Sequence, residues 1–182
     1  MDEVNWLIDV GVPALSISIP AGIAIWLARK ERKGGEESRY LERRRQAAEP
    51  VILALAQFVS LDPLNEPLQA QLRDLRGRIA VYRASLRPAD VLSGDWLALR
   101  HSSGMNKWAH AVDLLQESGG NPRADLVNDA VAPGRTWANE TIELFSSWLA
   151  GLTSDDTLKH DGALLLAERD GRSAAEAAED AR

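Results

Sequence analysis

Chemistry needs groups that attack, ligate or move protons, and this 182-residue chain has few of them. It carries three histidines and no cysteine, which excludes a thiol nucleophile, a thiolate metal site and a disulfide framework. His101 and His110 stand nine positions apart. On one continuous helix that places them on opposite sides, so the helix alone cannot bring them to one metal. His110, Asp113 and Glu117 do share a face at i, i+3 and i+7. Two carboxylates and an imidazole suit a divalent cation, but the same trio on a solvated helix is ordinary surface, and no metal ligand is assigned. His101 falls with Leu97 and Trp108 on an apolar seam and is expected as a hydrogen-bonded, partly buried histidine. His160, beside Asp156 and Asp161, reads as surface near a helix start.

The sequence motifs of catalysis are missing too. There is no G-x-S-x-G elbow and no S-x-x-K set. Phosphate-loop spacing, H-E-x-x-H and EF-hand loops are also lacking, and Gly34-Gly35 reads as a hinge. No catalytic residue and no cofactor is assigned. Distant groups can still converge in a fold, so the enzyme question stays open at this point, with a non-enzyme favoured.

Charge is the next resource, and its placement is uneven. Residues 1–28 hold three acids and no base; residues 29–45 hold eight bases and four acids, a net +4. Residues 46–182 hold 13 bases and 20 acids, a net −7 within the chain total of −6. That total, with no aromatic platform interleaved among the basic residues, argues against nucleic-acid binding. Arg29, Lys30, Arg32 and Lys33 follow an apolar run directly and read as its inner flank. Arg43, Arg44 and Arg45 lie beyond the glycine break and exceed what such a flank requires. They are candidates for contact with anionic lipid headgroups, the competing reading being ion pairs with Glu42 or Glu49.

The element in front of them is an apolar segment. Val10 to Ala28 is 19 residues without a formal charge, 13 of them Ala, Val, Leu, Ile or Trp. As a helix it is ~28 Å long, close to the ~30 Å hydrocarbon core of a bilayer. Trp6 and Trp26 lie twenty residues apart, ~30 Å along a helix, where interfacial aromatic belts sit. An acidic front and a basic rear orient the segment with its N-terminus outside and the rest of the chain cytoplasmic. A cleaved signal peptide would reverse that charge order. A buried soluble helix would show amphipathicity, which this run lacks. Gly11, Ala14, Ser18 and Gly22 form a small-residue stripe that would let two such helices approach and the chain self-associate. Asp9 lies within one turn of Trp6, so it can sit at the headgroups.

Beyond the anchor the spacing predicts helices throughout and no sheet. Leu41, Ala48, Ile52, Leu55 and Val59 recur at helical spacing, with a kink or fresh start expected at Pro50. Asn65 and Pro67 suggest a cap and first turn. They precede the heptad seam Leu68, Leu72, Leu75, Ile79, Tyr82 and Leu86. A helix from Ser93 or Asp95 has Trp96, Leu97, Leu99, Trp108, Val112 and Leu115 inward, weakened at Ser102-Ser103-Gly104. Asn121-Pro122 opens a short helix to about Val131, and Pro133-Gly134 interrupts it. Trp137, Thr141, Leu144, Phe145 and Trp148 stripe the next helix, closed by Gly151. Ser154 caps a last one through Leu158 and Leu164 to Leu166.

The expected fold class is all-α: a single N-terminal transmembrane helix followed by a cytoplasmic antiparallel helical bundle. Its segments are 1–33, the anchor with its basic flank; 34–64, a juxtamembrane basic helix; 65–169, the bundle; and 170–182, an Ala/Glu-rich tail, frayed or disordered. Trp96, Trp108, Trp137 and Trp148 are expected in the core. Seventeen arginines against four lysines, with many alanines, fit a GC-rich bacterial source. Two functions suit this layout. One is a membrane-tethered interaction or scaffold module with a protein partner; the other is a sensor or pore-forming effector acting through the Pro/Gly/Ser-containing segment.

Overall fold

The computed structural model describes residues 35–118 and 122–180, all of whose regular structure is helical. Five α-helices follow one another: α1 Gly35–Val59, α2 Leu68–Ala84, α3 Val91–Glu117, α4 Ala124–Leu149 and α5 Asp155–Asp180. A short 3₁₀ turn, Pro88–Asp90, leads into α3. Helices α1 to α4 close a ring in which each packs on its sequence neighbours and α1 also packs on α4. This is an antiparallel four-helix bundle, the outcome that short connections favour. Helix α5 packs outside the ring, against α3.

The apolar stripes meet inside as their spacing requires. Leu75, Ile79 and Tyr82 are buried, with Leu68, Leu72 and Leu86 packed against them. Val51, Ala54, Leu55 and Phe58 supply the face of α1. Trp96, Trp108, Trp137 and Trp148 are all buried, so the four C-terminal tryptophans are core residues. Aromatic contacts tie the helices: Phe58 meets Trp137 edge-on at 5.6 Å, and Tyr82 meets Phe145 edge-on at 5.3 Å.

Three expectations change here. Helix α4 is one element through Pro133-Gly134. Pro133 lies on the exposed side, where water can replace the hydrogen bond that its missing N–H leaves unmade at the Asp129 carbonyl. Helix α1 likewise continues through Pro50, so no fresh helix starts there. And Asn65 is not the cap of α2, which starts behind Pro67 without a side-chain cap; Asn65 Nδ2 instead donates to Asp62 Oδ2 at 2.6 Å. Gly151 ends α4 with φ 72°, the left-handed conformation that favours glycine. The stretch from Asp170 to Asp180 continues α5 as helix.

Among the described residues no helix is long and apolar enough to cross a membrane. The run 10–28, Trp6 and Trp26, Arg29, Lys30, Arg32 and Lys33, and the stripe Gly11, Ala14, Ser18 and Gly22 lie outside the described residues.

Candidate functional site

Two polar clusters and one groove are the features from which a site would be built. The first cluster gathers at the bundle end where α1 begins. Asp90, at the head of α3, accepts hydrogen bonds from the Tyr40 hydroxyl and from Arg44 Nη1, the latter at 3.2 Å. The Arg87 backbone N–H donates to the Tyr40 oxygen at 3.2 Å, and the Arg87 guanidinium lies 3.8 Å above the Tyr40 ring. Burial, then the bond to Asp90, pushes the Tyr40 phenol up from its ordinary value. Beneath it, Ser93 Oγ donates to the Asp90 carbonyl at 3.0 Å, so the Tyr82 hydroxyl donates to Ser93 Oγ, also at 3.0 Å. Burial pushes the Tyr82 phenol up to about 12. Both tyrosines stay neutral at physiological pH, and the Asp90 carboxylate is already held by Tyr40 and Arg44. The cluster joins α1 to the α2–α3 turn.

The second cluster joins α5 to the ring. The Arg100 side chain is 9% exposed and grips Asp161 with two bonds, Nε to Oδ2 at 2.9 Å and Nη2 to Oδ1 at 2.5 Å. Trp96 Nε1 donates to the same Oδ2 at 2.7 Å, and Arg100 Nη1 reaches Glu140 of α4 at 3.3 Å. One carboxylate thus satisfies an indole and a guanidinium together. Nearby, Trp148 Nε1 donates to Asp155 Oδ1 at 2.8 Å, fixing the α4–α5 corner. Neither cluster pairs a nucleophile with a free base.

The three histidines are scattered. His101 is buried, and its Nε2 lies 3.0 Å from the Leu72 carbonyl, as a donor to that acceptor. Burial lowers its pKa below the usual imidazole value. His110, Asp113, Glu117 and His160 are exposed. Among the described residues no group of three or more His, Asp or Glu is placed to hold a metal ion.

The arginine triplet separates in space. Arg43 is exposed and Arg45 half-buried. Arg44 turns inward: its side chain is 11% exposed, paired with Asp90 and lying 4.5 Å over the Trp148 ring. The expected lipid-contact set Arg43, Arg44 and Arg45 therefore loses its middle member to packing. Three consecutive residues on a helix cannot share one face, and the aromatic across the ring decides which turns in.

The groove lies between α1 and α2, about 370 Å³ in volume, lined by Ala47, Pro50, Gly77 and Val81 with Asp74 and Arg78 at its wall. Sequence reasoning missed it, although Gly77 and an exposed valine on a heptad helix were visible signals. It also missed the seats under two tryptophans. The Trp137 ring covers Gly104, and the Trp108 ring covers Gly134, so close that an added Cβ would fall 2.3 Å and 2.5 Å from ring atoms.

Comparison with protein families, with curated proteins and with solved structures gives no match for this chain.

Proposed function

We propose that the chain is a membrane-tethered interaction module, a helical bundle held at the inner leaflet by its N-terminal segment to engage a protein partner. The observation that carries the reading is how the polar groups of the two clusters are used. Asp90, Asp161, Arg44, Arg100 and the indole N–H groups of Trp96, Trp137 and Trp148 are each bonded across or along the bundle. These bonds tie α1 to the α2–α3 turn and α5 to α3, and they occupy the Asp90 and Asp161 carboxylates. The sequence adds the tether: an uncharged apolar run, then a basic flank, then α1. Arg43 and Arg45 are the residues of the triplet left to meet anionic headgroups.

Cell fractionation tests the tether. The full chain is expected in the membrane fraction, resistant to carbonate extraction. Arginines placed at Leu15 and Ile19 are expected to release it with its helical circular dichroism unchanged. Recovery of the unaltered chain in the soluble fraction contradicts the proposal.

A further inference from the structure

Helices α1 and α2 leave an open groove between them. Ala47 and Pro50 stand on one wall and Gly77 and Val81 on the other, around about 370 Å³ of space. Asp74 and Arg78 border it and are bonded to each other at 2.6 Å. Nothing in the fold covers this floor: Val81 is 69% exposed, and the one helix outside the ring, α5, packs on α3. Internal packing does not account for Gly77 either. Gly104 and Gly134 each seat an indole, whereas nothing lies within 4 Å of a Cβ added at Gly77. Glycine in a helix interior costs about 0.5–1 kcal/mol relative to alanine, and proline costs more. The two least helix-forming residue types thus stand one on each wall of the same gap.

Both ends of the groove carry cations. On α1, Arg39 and Arg43 precede Ala47 at successive four-residue steps and extend its face toward the start of the helix. On α2, Arg73 stands four residues before Gly77. Because α2 runs antiparallel to α1, Arg73 lies at the other end. All three arginines are exposed and make no ion pair among the described residues. Between them, the exposed face of α2 repeats Ala70, Asp74, Gly77, Val81 and Ala84 at intervals of four, three, four and three. That is the interval at which a third helix laid along the groove sets its own side chains, and the bare Gly77 backbone lets it approach closely. An acyl chain has no such period and carries its charge at one end, whereas this groove has cations at both.

We propose that the α1–α2 groove docks an acidic amphipathic helix of a partner protein. The apolar stripe of that helix lies over Pro50, Gly77 and Val81, and its carboxylates meet Arg43 and Arg73. The proposal rests on the reading of the bundle as an interaction module and gives its partner a chemistry. Burial of the apolar stripe supplies affinity, as in other helix-in-groove contacts. Guanidinium–carboxylate bonds at the two ends fix the register. A helix with basic flanks is rejected by the same arginines.

Photo-crosslinking of the full chain in its native cells tests this. Benzoylphenylalanine placed at Val81 should form an adduct with another protein, and the same group at Asp129, exposed on α4, should not. Mass spectrometry of the crosslinked segment should read apolar residues at three- and four-residue intervals flanked by Asp or Glu. Gly77→Leu should abolish the adduct by filling the groove. Its added side chain starts in open space, so its thermal melt should lie at or above that of the unaltered chain. Arg43→Glu with Arg73→Glu should also lose the adduct, with the melt unchanged. No adduct at position 81, the same adduct at position 129, or an adduct that survives either variant each overturns the proposal. So does a crosslinked segment without flanking carboxylates, or one that proves to be lipid or a second copy of this chain. Fractionation of the same cells reads the tether separately: a soluble chain that still forms the adduct overturns the tether alone.

Discussion

Gly104 and Gly134 have no side chain because an indole lies where one would be. A Cβ at Gly104 would fall 2.3 Å from Trp137, and one at Gly134 would fall 2.5 Å from Trp108. Both neighbours are rigid rings buried in the core, so Gly104→Ala or Gly134→Ala should destabilise the bundle by about 1–3 kcal/mol or more in urea denaturation. Gly77 is the control: nothing lies within 4 Å of its added Cβ. Gly77→Ala should stabilise α2 by about 0.5–1 kcal/mol through the unfolded-state entropy it removes. His101 makes a pH prediction. Its folded pKa lies below the ordinary value of 6.5, chiefly because burial disfavours the imidazolium, with the Arg76 charge adding to the effect. The unfolded chain therefore takes up this proton more readily than the folded one. Stability should be intact above pH 6.5 and decline as pH falls below it. His101→Gln, which retains a donor for the Leu72 carbonyl, should flatten that decline. An unchanged slope would show that other groups govern it.

At the scale of elements, α5 is the helix with least to hold it, since it packs outside the ring and mainly on α3. Asp161 accepts from both Arg100 and Trp96. Asp161→Ala leaves the Arg100 guanidinium buried without its main partner, and breaking such a pair costs about 3–5 kcal/mol when both groups are buried. Asp161 is itself 22% exposed, so a loss of about 2–3 kcal/mol is expected. Hydrogen exchange should rise first in α5 while α1 to α4 remain protected. Uniform loss of protection would place α5 inside the cooperative core instead. Much of this architecture was legible in the sequence. The heptad seam of α2 and the tryptophan stripes of α3 and α4 were read correctly, because burial follows helical periodicity. The continuity of α4 was not legible. Pro133-Gly134 is a breaker locally, but here proline faces water and glycine seats Trp108, and only tertiary packing reveals both. The Asp90 and Asp161 clusters were equally hidden, since Tyr40 and Asp90 are fifty residues apart, and Trp96 and Asp161 sixty-five.

At the scale of the whole molecule, charge is arranged by segment, acidic, basic, then acidic along the chain, and by helix, with four bases against one acid on α2 and four acids against one base on α4. Within the basic segment, the triplet Arg43, Arg44 and Arg45 divides by packing, with Arg44 turned inward and Arg43 exposed. Arg44→Ala should cost about 1–3 kcal/mol of stability, because it leaves Asp90 without its cation. Arg43→Ala should leave the melting temperature unchanged while weakening binding to vesicles that contain anionic lipid. A melting temperature that falls equally for both would show Arg43 to be structural. The proposal that organises all of this is the tether, and the chain's lack of cysteine makes it open to a clean measurement. Single cysteines placed at Asp2 and at Glu143 can be probed in intact cells with a membrane-impermeant maleimide. The tethered module predicts labelling of the Asp2→Cys chain from outside, and of the Glu143→Cys chain only after lysis. Equal labelling of the two, or protection of both in intact cells, contradicts it.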